Sequence, residues 1–590
     1  MGFERGVKVL CYADDLQLIV QGYSKLQKTQ RALRQIEHKC EDLGLKINPR
    51  KTKAMIIKDR RLPEVHLSMQ GTDIEWVETH QCLGVFFDRR LSFQPHVEYL
   101  RERMAMRITA MRRITCTSAG ADYNVLRTYY IQAVRSLLDY SSIALAGLQP
   151  GLVQKLQVQQ NKALRLIVGA PVWTKIANLQ METHIAPVET RIEKIIASTV
   201  AKILTRPGYD MTRVRLKTAM AQGDHISEAR WTRKASRALT ASGLQHIDTL
   251  GEDTPDEGHR DPPPWRRDAT VFSYKIPEVP RSNVVGRRIH GELQIARLAD
   301  EEGGTYFTDG SVDTDSGRSG AAFVYNGDES AWRLSDGCSS LQTELVAIQQ
   351  ATIHALRTDK NRIIIHTDSL SAVQTLQQKH FKDNIQLTSK ILGSIRELQE
   401  RGKQVIINWI PSHVGIQGNE AADKAAKEAT ALADVSIQVR PSLSSLRKQA
   451  RRREAQVTTN IHRTHATRGS RSCMWYRGTT DYQRLELQKG TPRRVRVHLH
   501  RLRLGYPCNW RLIQPVVLPC PHCDEDQEEP LLHWILNCSN TYELRRVTQN
   551  PDTESTANNA QDKATQLLKT LFERHTETLI DVIESPPPPR

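Results

Sequence analysis

The sequence predicts a multidomain α/β protein with a mixed β-sheet and flanking helices in its second half. Residues 305–431 show strands and helices in the order β-β-β-α-β-α-α-β-α, which is typical of a mixed sheet with helices on its faces. Residues 95–206 have a mostly helical pattern. Cysteines and a histidine with metal-ligand spacing lie within 520–538, near the end of the chain.

The first elements of the chain are a strand pair and a helix. Apolar strands flank a tight polar turn that contains Asp14 and Asp15. A helix is predicted over 24–43, and a second strand pair around 82–87. Apolar residues spaced three, four and seven apart then predict a helical bundle over 95–206.

Four carboxylates are predicted to meet at one edge of the central sheet. Asp309 ends the first strand of this region and Asp368 ends the fourth. Glu344 lies in the first turn of the first helix, and Asp423 lies near the start of the last. Neighbouring carboxylates repel one another, so they need divalent cations. Oxygen ligands and a phosphate substrate favour two Mg²⁺ or Mn²⁺ ions, about 3.5–4 Å apart, which would activate water and stabilise a leaving oxygen.

These acids lie in segments that resemble type-1 ribonuclease H. The segments are Thr308–Ser311, Thr343–Leu345, His366–Ser369 and Trp409–Asp423. The resemblance implies cleavage of the RNA strand of RNA–DNA hybrids, recognised by 2′-hydroxyl groups and groove shape. It also implies roles for particular residues. The metal ligands would be Asp309, Glu344, Asp368 and Asp423; His413 would assist proton transfer or product release; Ser311 and Asn419 would contact the substrate.

The beginning of the chain resembles the reverse transcriptase of non-LTR retrotransposons of the I and jockey type. The matching segments are Tyr12–Asp15, Gly44–Asn48 and Cys82–Val85. The resemblance implies that Asp14 and Asp15 are the remnant of a polymerase metal site. A polymerase palm also needs fingers and a metal-binding aspartate on an earlier strand, which would precede Tyr12. We therefore expect little or no RNA-directed DNA polymerase activity from this chain alone.

The cysteine–histidine cluster has the pattern C-x₂-C-x₉-H-x₄-C. Its members are Cys520, Cys523, His533 and Cys538. Four such ligands suit one tetrahedral, structural Zn²⁺, with His533 on a helix predicted over 530–536. His522 is a possible competing ligand, and unbound cysteines beside a packed histidine are the alternative. Similar retroelements carry a comparable cluster, which would bind nucleic acid or another protein.

The charge of the chain indicates a polyanionic partner. The net charge is +17 and the pI is about 9.4, which favours nucleic acid first and an acidic membrane surface second. Residues 440–503 contain 17 Lys/Arg against 3 Asp/Glu. This stretch is either a solvated, disordered linker or a nucleic-acid surface on which Trp475, Tyr476 and Tyr482 supply stacking faces.

The compartment is expected to be intracellular. Ten cysteines in 590 residues show no disulfide framework. No apolar run approaches the ~18–20 residues that a membrane helix needs, and the N-terminus lacks the apolar core of a signal peptide. We expect a nuclear or cytoplasmic protein that is neither secreted nor bound to a membrane.

Composition and motifs divide the chain into seven regions. They are 1–95, a partial reverse transcriptase palm; 96–210, a helical thumb and connection; 211–300, a largely irregular linker; 301–435, a ribonuclease H domain; 436–505, an Arg-rich basic region; 506–550, a zinc-knuckle-like region; and 551–590, a helix and Pro-rich tail. Two alternatives to hybrid cleavage stay open: a catalytically silent nucleic-acid-binding remnant, and a polymerase fragment that needs upstream sequence.

Overall fold

A computed structural model of the chain describes residues 2–58, 65–115, 120–208, 211–221, 230–244, 247, 251–256, 271–274, 279–280, 282–378, 381, 383–488, 490–506, 518–520, 522–523, 525–548 and 559–584. The chain forms two compact units. The first contains residues 1–192 and 457–590, and the second contains residues 193–456. None of the helices in the described ranges is long and apolar enough to cross a membrane.

Short strands and one long helix begin the first unit. They are β1 (Val7–Tyr12), β2 (Asp15–Val20), α1 (Lys25–Asp42), β3 (Lys53–Ala54), β4 (Ser68–Met69), β5 (Thr72–Asp73), β6 (Glu75–Trp76), β7 (Thr79–Cys82) and β8 (Val85–Asp88). β1 and β2 form an antiparallel hairpin in which Tyr12 pairs with Asp15. The predicted strand pair is therefore confirmed. Leu33 of α1 packs with Leu67 and Ile74 in a small core.

Helices follow, as predicted for 95–206. They are α2 (Gln94–Arg113), α3 (Tyr123–Tyr129), a π-helical segment (Tyr130–Arg135), α4 (Ser136–Ser141), α5 (Pro150–Val168), α6 (Ile176–Thr183) and α7 (Val188–Thr205). α2 packs against α5, and both helices bury an apolar face that includes Val97, Met104, Leu156 and Leu164. Burial of these faces is what stabilises helices of this length.

The span 211–300 differs from its prediction. Its described residues form α8 (Met211–Ala221), α9 (Arg230–Ala241), β9 (Val271–Ser273) and α10 (Val284–Leu298). The prediction of a largely irregular linker is wrong for these residues, because tertiary contacts outweigh weak local propensity. Gly291 of α10, for example, lies so close to Ile416 and Pro411 that a Cβ there would clash. The three prolines at 262–264 lie outside the described residues.

A six-stranded sheet is the centre of the second unit. Its further elements are β10 (Gly304–Val312), β11 (Ser319–Tyr325), β12 (Asp328–Leu334), α11 (Ser340–Ala355), β13 (Arg362–Thr367), α12 (Leu370–Gln377), α13 (Ile385–Glu400), β14 (Gln404–Trp409) and α14 (Gln417–Ala431). The strand order is β12-β11-β10-β13-β14-β9. The first two pairings are antiparallel and the last three are parallel. The predicted mixed sheet with flanking helices is confirmed, and β9 adds a sixth strand.

Aliphatic side chains fix the strands of this sheet in place. Ile363 and Ile365 of β13 and Ile407 of β14 are fully buried against Leu345 of α11 and Ile391 of α13. A close-packed core of this kind resists small displacements. The strand ends that carry the carboxylates are therefore positioned rigidly.

The last part of the chain is also helical. Its elements are α15 (Leu443–Thr467), α16 (Arg471–Thr480), α17 (Arg493–Leu504), β15 (Leu518–Pro519), β16 (Asp526–Gln527), α18 (Pro530–Leu536), α19 (Tyr542–Arg546), α20 (Ala560–Arg574) and α21 (Thr576–Glu584). The helix predicted over 530–536 is confirmed. The alternative of a disordered basic linker over 440–503 is wrong for the described residues, because three helices form there. The proline run at 586–589 lies outside the described residues.

Two of the three proposed stacking faces are buried. Trp475 and Tyr476 of α16 are 0% and 1% exposed, so they cannot stack on a nucleic acid. Trp475 packs with Leu499 and Leu531 in the core of the C-terminal helices. Large aromatic side chains gain more free energy in a core than in solvent. This outweighs the polar character of the surrounding sequence, and the prediction for these two residues is wrong.

A buried ionic network lies within the first unit. Glu182, at the end of α6, accepts hydrogen bonds from the Tyr476 hydroxyl at 2.9 Å, from His500 Nδ1 at 2.5 Å and from Arg503 Nε at 2.9 Å. The four side chains are each at most 4% exposed. The network ties α6 to α16 and α17, which lie about 300 residues later in the chain.

Candidate active site

Two parallel strands place the first pair of carboxylates side by side. Thr308 of β10 stands opposite Thr367 of β13. Asp309, the next residue of β10, and Asp368, the residue that follows the end of β13, therefore come to the same edge of the sheet. β10 continues to Val312 through its pairing with β11. The prediction that Asp309 ends its strand is therefore wrong, although its position at the edge is not affected.

Helix α11 brings Glu344 to these two acids. Ser339 and Gln342 form a capping box that fixes where α11 begins, and Glu344 lies just beyond the first turn rather than within it. β10 and α11 approach so closely that a Cβ on Gly310 would lie 2.4 Å from the Glu344 backbone nitrogen. Only glycine allows this approach, which explains on steric grounds why glycine follows Asp309.

Asp309, Glu344 and Asp368 form a compact and largely buried carboxylate cluster. One ligand oxygen from each lies within 4.8 Å of the others, and Asp309 and Glu344 are 5% and 6% exposed. Burial, together with the charges of Asp368 and Asp423, raises the pKa of Asp309. Burial and the charge of Asp309 raise the pKa of Glu344 well above its ordinary range. Burial is also the main cause of the raised pKa of Asp368.

Helix α14 supplies the fourth carboxylate and a second group of polar side chains. Ligand atoms of Asp423, His413 and Glu420 lie within 4.8 Å of one another. Lys427, one turn after Asp423, forms an ion pair with it. The negative charge of Asp423 raises the pKa of both Asp309 and Asp368, so all four predicted acids act on one region. Sequence reasoning missed Glu420 and Lys427, which face Asp423 from neighbouring turns of α14.

Hydrogen bonds orient Asp368. Asn419 Nδ2 donates to Asp368 Oδ2 at 3.3 Å, and the Trp409 indole donates to the Asp368 backbone oxygen at 2.9 Å. Sequence reasoning also missed His366, which is buried two residues before Asp368. Burial lowers the pKa of His366 to about 4, and its Nδ1 lies 3.0 Å from Asn408 Nδ2. A neutral His366 is a packing residue beneath the site.

The backbone at His413 is strained. Its φ is 50°, in the left-handed region where a side chain is disfavoured. The loop is fixed by a hydrogen bond of 3.1 Å from the Gly415 nitrogen to Glu420 Oε1. His413 is exposed, so its ring can meet a bound substrate.

The carboxylates fit divalent metal ions. Glu344 Oε2 is buried and has no hydrogen-bond partner among the described residues. A buried anionic oxygen without a partner is costly unless a cation neutralises it. Hard carboxylate oxygens are the ligands that Mg²⁺ and Mn²⁺ prefer.

Stability should depend on pH and on metal at this site. The ordinary pKa values are 3.8 for Asp309 and 4.5 for Glu344, and folding raises both. The stability that these two carboxyl groups contribute is therefore present at a pH below their ordinary pKa values, and it is lost as the pH rises through their raised pKa values. In EDTA, the difference in melting temperature (wild type minus Asp309→Asn) should decrease as the pH is raised from about 4 to about 8. Mg²⁺ should restore the wild type more at the higher pH, and a difference that rises with pH would contradict this.

Comparison with protein families agrees with this geometry. Residues 301–431 match the family model of RNase H. The chain contains a ribonuclease H domain. Residues 2–87 match the family model of the reverse transcriptase (RNA-dependent DNA polymerase), and this segment includes the β1–β2 hairpin.

Relatives of the chain are retrotransposon proteins. It is 23% identical over 199 residues to the probable RNA-directed DNA polymerase from transposon BS, and 21% over 211 residues to the RNA-directed DNA polymerase from mobile element jockey, both of Drosophila melanogaster. It is 24% identical over 140 residues to a retrovirus-related Pol polyprotein from a type-1 retrotransposable element R1 of Nasonia vitripennis. These matches cover 33%, 35% and 20% of this chain and 22%, 23% and 36% of the relatives. The predicted resemblance to non-LTR retrotransposon reverse transcriptases that carry a ribonuclease H domain is confirmed.

The two acids of the reverse transcriptase segment are more exposed than the four acids of the ribonuclease H domain. Asp14 and Asp15 are exposed at the tip of the β1–β2 hairpin. Among the described residues, no third metal-ligating side chain joins them in a cluster.

The cysteines and histidine predicted to bind zinc lie together. Ligand atoms of Cys520, Cys523, His533 and Cys538 are all within 4.8 Å of one another. Cys520 Sγ lies 4.0 Å from Cys538 Sγ, and Cys523 Sγ lies 3.2 Å from His533 Nε2. His522 is not a member of this cluster.

Proposed function

We propose that the ribonuclease H domain hydrolyses the RNA strand of RNA–DNA hybrids by a two-metal mechanism. The main support is the buried cluster of Asp309, Glu344 and Asp368, next to Asp423. Within it, Glu344 Oε2 has no hydrogen-bond partner among the described residues. The complete set of four acids favours hydrolysis over a silent binding role. Nothing comparable surrounds Asp14 and Asp15 in the described part of the chain, which favours hydrolysis over nucleotidyl transfer. The test is whether the Asp309→Asn variant still cleaves the RNA strand of a hybrid.

The four carboxylates would hold the metal ions. Asp309, Glu344, Asp368 and Asp423 would be the ligands of two Mg²⁺ or Mn²⁺ ions. When bound, such ions supply an activated water and stabilise the leaving 3′-oxygen. His413 is exposed and has a ring nitrogen within 4.8 Å of Asp423, so it would assist proton transfer or product release. Lys427 would hold Asp423 in place through their ion pair.

Two polar residues are proposed to contact the RNA strand. Ser311 lies two residues after Asp309 on β10, and alternation along a strand places both side chains on one face. Asn419 has a buried Oδ1 with no partner among the described residues, while its Nδ2 donates to Asp368. Recognition of 2′-hydroxyl groups by such residues gives little sequence preference.

The zinc cluster is proposed to be structural. Four ligands leave no open position for substrate, and His533 and Cys538 lie on and just after α18. The metal would therefore stabilise the small C-terminal core around Trp534. Together with the basic helices, this zinc-bound region would bind nucleic acid or a protein.

Zinc content tests this ligand set. The purified chain should contain about one zinc per chain, and Cys520→Ser should lose it. Cys11→Ser, which alters an exposed free cysteine, should retain it, as should His522→Ala. Full zinc content in Cys520→Ser, measured by atomic emission, would refute the assignment.

A further inference from the structure

A cationic cavity lies within the first unit, between helices that are far apart in sequence. Its volume is about 300 Å³, and it is lined by residues of α2 and α5 and by residues of α17. Five cationic side chains line it: Arg112, Lys162, Arg165, Arg493 and Arg501. The described residues that line it include no acid, although the charge of Asp122 acts on Arg493 from outside the lining.

Backbone carbonyls hold two of these arginines in fixed positions. Arg493 is 8% exposed, and its Nη1 and Nη2 donate to the backbone oxygens of Ala121 at 2.8 Å and Leu166 at 3.0 Å. Arg501 Nε donates to the Gly169 backbone oxygen at 3.1 Å. Neutral carbonyls therefore hold both guanidinium groups in a fixed orientation. Cations fixed in this way lose little entropy when they bind an anion.

Arg165 adds an unsatisfied donor. Its Nη1 donates to the Asn161 backbone oxygen at 3.2 Å, but its buried Nε has no hydrogen-bond partner among the described residues. Burial lowers the pKa of Arg165 from its ordinary value, although the side chain as a whole is only half-buried. An anionic oxygen would satisfy this N–H and offset the cost of burying the charge.

An exposed aromatic side chain stands beside the cavity. Val172 lines the cavity, and its neighbour Trp173 is 51% exposed. The Trp173 ring lies 6.0 Å from the ring of Tyr506, and the Arg501 guanidinium lies 5.6 Å from the same tyrosine ring. A row from Arg501 through Tyr506 to Trp173 thus joins the cations to an indole that faces solvent.

We propose that this cavity binds backbone phosphates of a single-stranded polynucleotide and that Trp173 stacks on a neighbouring base. Fixed cations beside an exposed aromatic face are the combination by which proteins bind single strands without sequence preference. The bases of a duplex stack on one another and leave no face for the indole. The site contains no residue of the ribonuclease H domain, so it goes beyond the proposed hydrolysis and does not depend on it.

Binding of a labelled single strand of about 16 nucleotides tests the cations. Arg112 and Lys162 are exposed, so Arg112→Glu/Lys162→Glu should leave the fold of the full chain intact. In EDTA, fluorescence anisotropy should show binding weakened about 10-fold or more, and the salt dependence should fall by about 0.7 for each lost phosphate contact. The control Lys563→Glu/Arg574→Glu changes two exposed cations of α20 and should alter affinity less than about twofold.

The aromatic contact has its own test. Trp173→Ala should weaken binding about 5-fold or more, whereas Trp173→Phe should retain most of it. A single strand carrying 5-iodouridine should cross-link to the segment 170–175. Equal losses in both double variants, a duplex bound as tightly as the single strand, or a cross-link outside this segment would overturn the proposal. Inorganic phosphate that competes at the concentration of the oligonucleotide would show a site for a free anion instead.

Discussion

Replacing Asp309 with asparagine should reduce cleavage of the RNA strand of an RNA–DNA hybrid to background. Asparagine keeps the size of the side chain but removes the charge between Glu344 and Asp368, where the cluster needs it to hold cations. Removing a residue that merely supports a metal ligand costs about 10–100-fold, so loss of a proposed ligand should cost more. The measurement is cleavage of an end-labelled hybrid by the full chain in Mg²⁺.

The same substitution should not weaken the fold. In EDTA, the loss of one of several mutually repelling charges should leave the melting temperature unchanged or raise it. Asp328→Asn, at an exposed position where β12 begins, makes the same chemical change outside the site and should cleave like the wild type. Cleavage retained in Asp309→Asn, or lost equally in both variants, would refute the proposed site.

Replacing Glu182 with glutamine should destabilise the first unit by about 3–5 kcal/mol. Burial alone would raise the pKa of Glu182, but Arg503 and His500 outweigh it and hold this pKa well below its ordinary value of 4.5. Glutamine leaves the Arg503 guanidinium, 3% exposed, without a counter-charge. Hydrogen exchange of α6 and α17, followed by mass spectrometry, should report the lost free energy of unfolding.

The sign of its pH dependence follows from the lowered pKa. The stability from Glu182 is present above its ordinary pKa and is lost as the pH falls, so the penalty of the substitution should be larger at neutral pH than near pH 3. Glu189→Gln, at an exposed position in the first turn of α7, is the matched control and should have little effect.

A double replacement separates charge from packing. Glu182→Leu/Arg503→Met removes both charges and should cost less than Glu182→Gln alone, because apolar pairs often replace buried ion pairs without loss. Equal stability of Glu182→Gln and wild type, or a double variant less stable than the single one, would show that the network does not hold these helices together.

Local patterns predicted most of the secondary structure around the ribonuclease H site. The order of strands and helices predicted for 305–431 is the order observed from β10 to α14. Alternation and helical spacing are set by neighbouring residues, so they can be detected along the chain. The wrong position of Asp309 within its strand arose because pairing with β11, not local pattern, decides where β10 ends.

Other features depend on partners distant in sequence. Trp475 and Tyr476 occur in a basic, polar stretch, and only the fold shows that α16 buries both side chains. β9 is a strand because β14 offers a free edge. The five cations of the cavity come from segments more than 300 residues apart, so no local pattern could place them together.

Local patterns along the chain were enough to give the order of elements in the ribonuclease H domain and to single out its four proposed metal ligands, because each acid lies in a short motif on a particular strand or helix. The metal-ligand spacing of the C-terminal cysteines and histidine is equally local. The folded chain was needed to show that Glu344 reaches Asp309 across Gly310, that Glu182 is buried with Arg503, and that cations surround the cavity beside Trp173. Distances between side chains on different elements follow from packing, and packing involves the whole chain at once.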